Sequence, residues 1–384
     1  PVEKVLASGT SRNSNWPSVY VAGLEQLQKP TWAPPAGMQP SEVIDRFVAL
    51  GWKERDVKPS KICDGRTFVR RIYLDLAGRI PTVNEMEQFL RDRRRDRRER
   101  LVDALLANDD YARHLRDVFD VVLMERPNEN AENRRRDPMP RRDDRWFQFL
   151  EDSFRANRPW NEIVRELIIA RPTHETRRGA VWYLYERRNN HQAMAEAVAP
   201  VAFGVQIKCA QCHNDPLAWE VEQRHYWALV AAFNRSTNVA RAENIEIAES
   251  AIGGFVNFSN LKKESQPALL AFLNGKSVAE KRPAENEKES DPPELYLVPP
   301  PKEKEKPGSA AVPKFSRRAA LADVVTHHNP KLARAFVNRV WTMLLGRGLV
   351  HPVDQMDSRH RPSHPDLLDW LARRFMDDGW SLKK

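Results

Sequence analysis

Cys209-Ala210-Gln211-Cys212-His213 is the stretch from which a fold and a function can be predicted for this chain. Two cysteines at this spacing can form thioether bonds to the two vinyl groups of one porphyrin, and the adjoining histidine then lies beneath the iron as its proximal ligand. The chain has three cysteines in 384 residues, and only Cys63 lies outside the motif. The sequence therefore predicts one covalent haem c, held by Cys209, Cys212 and His213.

The same motif has three other interpretations, which the sequence leaves open. A zinc site could use both cysteines with His191 and His225, but structural zinc usually takes four ligands and the chain has no second Cys-x-x-Cys. A disulfide between Cys209 and Cys212 would form a simple staple. A thioredoxin-like dithiol is typical of a βαβ context, and no such pattern surrounds the motif. The haem interpretation is preferred because the histidine stands in register with the cysteines.

The composition indicates a chain that can bury a full core and form two or three domains, since 41% of its residues are hydrophobic. The net charge is +9, and much of the excess is arginine in mixed runs such as residues 91–100 and 134–136. Acidic residues interrupt the first run, which is typical of solvated helix faces. A nucleic-acid patch is the alternative, but no zinc-finger, RNP or helix-turn-helix signature accompanies it, so we expect no nucleic-acid partner.

The sequence also bears on where the protein resides. No apolar run approaches the roughly 18 to 20 residues of a membrane-spanning helix. Residues 1–40 are predicted to form an extended N-terminal segment, because residues 1–37 are rich in Ser, Pro and Gly. Covalent haem attachment takes place on the outer side of the cytoplasmic membrane. The motif therefore predicts a periplasmic or otherwise extracytoplasmic protein whose leader has been removed.

Helical periodicity dominates the chain and predicts a mainly α fold. An apolar stripe at i, i+3 and i+4 spacing runs through residues 68–76, and Asp64 precedes it as a candidate N-cap. Thr82 and Glu85 form a capping-box pattern that begins another helix. Residues 126–145 interrupt the pattern with Pro, Asn and Arg and are predicted to be a long exposed loop. The apolar stripes are expected to be core faces rather than cofactor contacts.

Changes of pattern divide the remaining chain into four segments. Residues 41–236 form a helical domain that contains the motif. Residues 237–275 form a small β-containing insert, because short runs of alternating apolar and polar positions around Gly-Gly in residues 239–258 predict a small β-hairpin or ribbon. Residues 276–315 are rich in Lys, Glu and Pro and are predicted to be a flexible linker or surface excursion. Residues 316–384 begin a second helical domain.

Several longer runs carry a resemblance to known proteins. In the first helical domain they are Ile44-Asp45-Arg46-Phe47, Phe68-Val69-Arg70-Arg71-Ile72-Tyr73-Leu74-Asp75-Leu76-Ala77-Gly78-Arg79-Ile80-Pro81-Thr82, Arg100-Leu101-Val102-Asp103 and the Cys209–His213 motif. In the second they are Ala335-Phe336-Val337-Asn338-Arg339-Val340-Trp341, Gly346-Arg347-Gly348-Leu349-Val350 and Ser363-His364-Pro365-Asp366-Leu367-Leu368-Asp369-Trp370-Leu371. The first set resembles the planctomycete cytochrome-like domain family of unknown function, and the second resembles its companion, a planctomycete-specific domain. The resemblance implies a multi-helix cytochrome-like domain followed by a helical domain.

Two departures from the family pattern matter. The family often reads Cys-His-Asp-His-Pro, whereas this chain continues from His213 into Asn214, Asp215 and Pro216, so a second histidine beside the motif is missing. Members usually continue well past the point that corresponds to Lys384. We therefore expect the second helical domain to be truncated here.

The sixth ligand of a bound haem would separate an electron carrier from a catalyst. A Met or His ligand favours electron transfer, whereas an open position allows small-molecule binding or peroxide chemistry. His191, Met194 and His225 are the distal candidates because they lie nearest to the motif in sequence. Other histidines, namely His327, His328, His351 and His360, fall in the second domain and are expected to be remote.

The expected function is that of an exported c-type cytochrome that transfers electrons to or from a redox partner protein and supports oxidation of an extracytoplasmic substrate. One alternative is a non-redox binding or scaffold protein in which the motif is a zinc or disulfide staple. Another is a haem enzyme with an open iron site. No Gly-x-Ser-x-Gly elbow, P-loop, dinucleotide fingerprint or His-Glu-x-x-His helix indicates a different enzyme class.

Overall fold

A computed structural model gives the fold. It describes residues 32–35, 37–124, 145–240, 245–284, 287, 289–301, 310–327 and 329–384. The predicted loop at residues 126–145 lies outside the described residues except for Arg145, and so does most of the predicted N-terminal segment. The arginines at 134–136 and His328 also lie outside them.

The described part of the chain contains 13 α-helices, so the predicted mainly α class is confirmed. The first eight are α1 (Pro40–Glu54), α2 (Gly65–Ala77), α3 (Val83–Arg91), α4 (Arg97–Leu106), α5 (Asp109–Met124), α6 (Trp146–Arg155), α7 (Trp160–Ile169) and α8 (Trp182–Tyr185). The others are α9 (His191–Phe203), α10 (Gln223–Phe233), α11 (Arg317–Thr326), α12 (Pro330–Leu345) and α13 (Pro365–Asp377). Short 3₁₀ helices span Glu175–Val181, Lys208–Gln211 and Pro293–Leu295. None of the described helices is both long and apolar enough to cross a membrane.

Two helix starts form as their sequences predict. The Asp64 carboxylate accepts a hydrogen bond from the Thr67 backbone N–H at 2.9 Å and so caps α2. Thr82 and Glu85 form the predicted capping box at the start of α3. Arg79 donates two hydrogen bonds to Glu85, and these bonds lower the pKa of that carboxyl to about 2. Local side-chain chemistry therefore sets these helix boundaries.

The β structure consists of four two-stranded antiparallel hairpins in the described residues, rather than one small hairpin. The pairs are β1 (Ser236–Ala240) with β2 (Ile245–Glu249), β3 (Asn257–Ser259) with β4 (Ser265–Pro267), β5 (Leu270–Ala271) with β6 (Ser277–Val278), and β7 (Tyr296–Val298) with β8 (Val312–Pro313). In β2, residues alternate between buried and half-buried, as a strand with one face on a core does.

The predicted flexible linker, residues 276–315, is more ordered in its described part than the composition suggests. This part supplies β6, β7 and β8. Glu280 lies 3.0 Å from an Nη atom of Arg235 and 2.9 Å from one of Arg317, and both arginines are almost fully buried. The Glu280 carboxylate balances the buried positive charges of Arg235 and Arg317. These ion pairs hold the segment in place.

The two helical regions share one hydrophobic core instead of forming two separate ones. Helix α7 packs on α11, and α9 packs on α12. Phe336 of α12 lies with its ring centroid 4.5 Å from that of Trp160 in α7 and 4.8 Å from that of Phe375 in α13. A smaller separate cluster lies in α2–α4 and comprises Val69, Tyr73, Ala77, Phe89 and Leu105. The region from residue 316 onward is therefore packed into the first domain.

A buried ion pair within the C-terminal helices gives a stability prediction. Arg334 of α12 donates to both carboxylate oxygens of Asp369 in α13, at 2.6 and 2.9 Å, and both side chains are at most 5% exposed. We expect Asp369→Ala to lower the free energy of unfolding by about 3–5 kcal/mol, because it leaves a buried guanidinium without this carboxylate. Denaturant unfolding measures the change.

The matched control is Asp377→Ala, which removes an exposed carboxylate from the same helix. We expect that control to change the free energy of unfolding by less than about 0.5 kcal/mol. Equal unfolding midpoints for the two variants would show that the buried pair does not stabilise the packing of α12 on α13.

Candidate functional site

The cysteine motif begins in a 3₁₀ turn whose geometry presents both thiols to solvent. Cys209 lies within the turn at Lys208–Gln211, and Cys212 follows it with right-handed helical dihedral angles. Side chains three positions apart eclipse one another in a 3₁₀ helix, so we infer that the two cysteines face the same side. Both thiols are free and exposed, whereas Ala210 between them is fully buried. The turn is thus anchored by Ala210 and displays its two thiols together.

Helix α10 fixes the backbone of this turn. The carbonyl oxygen of Gln211 accepts hydrogen bonds from the Trp227 indole N–H at 3.0 Å and from the Gln223 amide at 3.2 Å. The same Gln223 amide also donates to the Ser259 carbonyl in β3 at 2.9 Å. Two side chains of α10 thus satisfy this carbonyl. Their hydrogen bonds restrict the backbone conformation of the turn.

The loop after the motif is closed by its own side chains. Asn214 accepts a hydrogen bond from the Gln223 backbone N–H at 2.9 Å. Asp215, which is 5% exposed, accepts from the backbone N–H groups of Leu217 and Ala218, each at 2.9 Å. Asp215 occupies the position at which the resembling family often has its second histidine, and here it caps a turn.

The orientation of the His213 ring suits a metal ligand. Its Nδ1 lies 2.6 Å from the Asn214 carbonyl oxygen. A carbonyl can only accept, so Nδ1 carries a proton, and in the neutral ring Nε2 then has the free lone pair. Histidines that bind metals usually donate their other ring N–H to a carbonyl or carboxylate in this way. The two free thiols and this tautomer of His213 fit the requirements of c-type haem attachment.

A loop from the C-terminal region lies against the motif loop. The Met356 backbone N–H donates to the Gly204 carbonyl at 2.8 Å. Ser358 donates to the Glu220 carboxylate twice, from its backbone N–H at 2.6 Å and from its hydroxyl at 2.8 Å. The region that follows α12 is therefore part of the site, and no local sequence signal predicted this.

His360 is not remote from the motif, contrary to the sequence-based expectation. It shares the carboxylate of Asp357 with Arg359, and its Nδ1 lies 2.9 Å from that carboxylate. Arg359 in turn approaches Asp215 at 3.8 Å and interacts electrostatically with Cys209. Burial alone would raise the pKa of Asp357, but hydrogen bonds from Arg359 and His360 outweigh it and lower that pKa. Tertiary folding brings this charged group beside the thiols.

Two of the predicted distal candidates lie away from the exposed thiols or are already engaged. Met194 is fully buried in the main core. His191 is the first residue of α9, about 20 Å along the helix axis from the end that leads to the motif, and its Nε2 lies 2.9 Å from the Ser236 carbonyl oxygen. The Met194 side chain is therefore not available at the motif turn, whereas His191 lines the same cavity as Trp227, whose indole binds the Gln211 carbonyl.

The third distal candidate, His225, acts as a helix cap. It is 9% exposed, its Nδ1 accepts a hydrogen bond from the Glu222 backbone N–H at 3.2 Å, and its ring also bonds to the Glu220 backbone. Burial lowers its pKa to about 4, and the positive charge of Arg224 adds to the effect. Both hydrogen bonds fix a neutral ring at the start of α10.

The zinc interpretation lacks a complete ligand set in the described residues. Across the described ranges, no group of three or more His, Cys, Asp or Glu side chains is arranged to hold a metal ion. His191 and His225, which were the candidates to complete a site with the two cysteines, make the other hydrogen bonds given above.

Comparison with known proteins identifies two consecutive family domains. The model PSCyt2, described as "Protein of unknown function (DUF1549)", matches residues 43–238, which is about half of the chain. The model PSD1, described as "Protein of unknown function (DUF1553)", matches residues 317–384. No curated protein and no solved structure matches the chain. The two matches confirm the predicted succession of two domains of unknown function, in that order.

The buried His225 predicts a pH dependence of stability. Its pKa is about 4 in the folded protein and 6.5 in a solvated chain, so the unfolded state binds the proton more tightly. The contribution of the neutral His225 ring to the free energy of unfolding is therefore complete above about pH 6.5. It is lost as the pH falls toward 4. The pKa values of His114 and His364 are lowered too, and they act in the same direction. We expect His225→Gln to reduce the pH-dependent change in free energy of unfolding by up to about 3 kcal/mol.

Gln can occupy the same capping position, so this variant separates titration from capping. Denaturant unfolding near pH 7 and near pH 4 measures the difference, and His327→Gln, which replaces an exposed histidine, is the control. Identical pH dependence in wild type and His225→Gln would contradict the assignment of a neutral His225.

Proposed function

We propose that this chain, which belongs to the PSCyt2 family of proteins of unknown function, is an exported c-type cytochrome. Cys209 and Cys212 hold one haem through thioether bonds, and His213 is its proximal ligand. The protein transfers electrons to or from a redox partner protein, and this transfer supports oxidation of an extracytoplasmic substrate.

One observation carries the proposal: two free, exposed thiols on one side of a fixed turn stand next to a histidine that already donates Nδ1–H to a backbone carbonyl. Thioether formation needs both thiols accessible to one porphyrin, and iron ligation needs the lone pair of Nε2. A disulfide staple would not require this histidine orientation.

The surroundings of the turn suit electron exchange at the surface. A bound haem would supply one-electron redox chemistry. The chain contributes a rigid turn held by α10 and a nearby guanidinium, Arg359, which suits the negative charge of haem propionates. Leu217 and Trp219, which follow the motif, are 67% and 61% exposed. They offer apolar surface that a porphyrin or a partner protein can cover.

The extracytoplasmic location is part of the same proposal. Thioether attachment of haem takes place outside the cytoplasm, so a covalent haem requires that the chain be exported. A demonstration of covalent haem would therefore also support the extracytoplasmic location. Absence of covalent haem would remove the reason for proposing it.

Substitution of the cysteines tests the attachment site. We expect Cys209→Ser/Cys212→Ser, made in a host with cytochrome c maturation machinery, to lose all covalently bound haem because no thiol remains at the turn. Cys63→Ser removes the third exposed thiol and is the matched control. It should keep the full haem content. Haem that survives denaturation, measured by absorbance per mole of protein, gives the result. Covalent haem in the double variant, or its loss in the control, would contradict the proposal.

A catalytic haem with an open sixth position is the second candidate. It is favoured by the positions of Met194, His191 and His225, which are buried or hydrogen-bonded elsewhere. On this account carbon monoxide binds the reduced protein rapidly and shifts its Soret band. A spectrum unchanged by carbon monoxide would show a closed iron and favour the electron carrier.

A further inference from the structure

An open cavity lies along helix α10, next to the cysteine motif. Its volume is about 490 Å³, within the range of about 300–1000 Å³ that is typical of small-molecule sites. Its walls come from the start of α9, from α10 and the residue after it, and from the segment that leads into β3. Trp227 belongs to the lining and also donates to the Gln211 carbonyl of the motif turn at 3.0 Å. An occupant of the cavity would therefore lie close to that turn.

The lining of this cavity is polar but contains no Asp, Glu, Lys or Arg, in a chain of which 30% is charged. Its polar groups are the imidazole of His191 and five carboxamides, those of Asn189, Asn190, Gln192, Asn234 and Asn257. Arg282 stands outside the lining, and its guanidinium donates to the Val256 carbonyl at 3.2 Å and to the Asn257 carboxamide at 2.6 Å. A lining of this kind offers hydrogen bonds without an ion-pair partner, so it favours a polar ligand that carries no charge.

Contacts within the protein use only part of the hydrogen-bonding capacity of these carboxamides. Asn189 is exposed, and its Oδ1 accepts from the Asn238 backbone N–H at 2.6 Å, which leaves Nδ2 as a donor. Asn234 donates through Nδ2 to the Gly254 carbonyl at 3.3 Å, which leaves Oδ1 as an acceptor. The Gln192 amide makes no hydrogen bond within the described residues, and neither it nor Oδ1 of Asn234 is fully buried. The cavity therefore presents accessible donors and acceptors side by side.

The cavity also has an apolar wall, to which Trp227, Val230 and Val256 contribute. Trp227 is half-buried, and its ring lies parallel to that of Phe258 at a centroid distance of 6.3 Å and an interplanar angle of 4°. A sugar ring carries hydroxyl groups around its rim and C–H groups on its faces. Each hydroxyl both donates and accepts, which matches the mixed carboxamide ends, and the C–H faces pack on aromatic and aliphatic surface.

We propose that this cavity binds a neutral pyranose sugar, either free or as a residue of a glycan. The carboxamides of Asn189, Gln192 and Asn234 bind its hydroxyl groups, and Trp227 packs against one of its C–H faces. This binding site goes beyond the proposed redox function and does not depend on haem, so the failure of either proposal leaves the other standing.

Saturation-transfer-difference NMR of the complete chain tests the proposal. The probes are D-glucose, D-galactose and D-mannose, each as the free hexose and as its linear trisaccharide, with D-glucuronate and D-galacturonate as charged comparators. We expect a saturable signal from at least one neutral probe, and at least fivefold weaker binding of the uronate, whose carboxylate finds no cation in the lining. The stronger of the free hexose and the trisaccharide identifies whether a free sugar or a glycan residue is bound. No saturable signal from any neutral probe, or tighter binding of a uronate than of its neutral parent, would overturn the proposal.

Substitutions locate the bound sugar. We expect Gln192→Ala to weaken binding about fivefold, since it removes a side chain that makes no hydrogen bond within the described protein but can bind a hydroxyl. Gln88→Ala, which changes an exposed glutamine in α3, is the matched control and should keep the wild-type affinity. Trp227→Leu keeps apolar bulk but removes the aromatic face, and it should weaken binding at least tenfold in protein whose circular dichroism matches the wild type. Undiminished binding in both Gln192→Ala and Trp227→Leu would place the sugar elsewhere and overturn the assignment.

Discussion

The contact of Phe336 with Trp160, at a centroid distance of 4.5 Å, is the interaction on which the rest of the arrangement depends. It seats α12 of the PSD1 region in the core formed by the PSCyt2 helices. Phe375 also stacks on Phe336, so α13 is held by the same aromatic group. Because α12 is fixed in this way, the loop between α12 and α13 is directed onto the cysteine motif. The two family domains act as one packed unit.

The candidate site is accordingly held from two sides. Trp227 and Gln223 of α10 bind the carbonyl in the middle of the motif, and Ser358 of the C-terminal region binds Glu220 in the loop that follows. The backbone is rigid while the thiols remain at the surface. The residues of the proposed haem attachment are thus ordered without being covered.

The features that could be predicted from the sequence are the local ones. The Asp64 cap, the Thr82 and Glu85 capping box and the helical class follow from side chains within a few positions of each other. The order of the linker and the approach of the His360 loop could not be predicted, because they depend on partners far away in sequence. Ser358 and Glu220 are 138 positions apart, and no periodicity encodes such a pairing. The distal candidates were chosen because they lie close to the motif in sequence. Closeness in sequence does not determine how close two side chains lie in the fold, since a helix such as α9 separates its two ends along its axis.

The most direct test of the proposed function is the intact mass and absorption spectrum of the wild-type chain made in a host with cytochrome c maturation machinery. Covalent haem at the cysteine motif predicts that the mass increases by that of one haem and that a Soret band is present. A second c-type cytochrome matured in the same host shows that the machinery works. An unmodified polypeptide mass with no Soret band, obtained beside that control, would show that the motif does not hold haem.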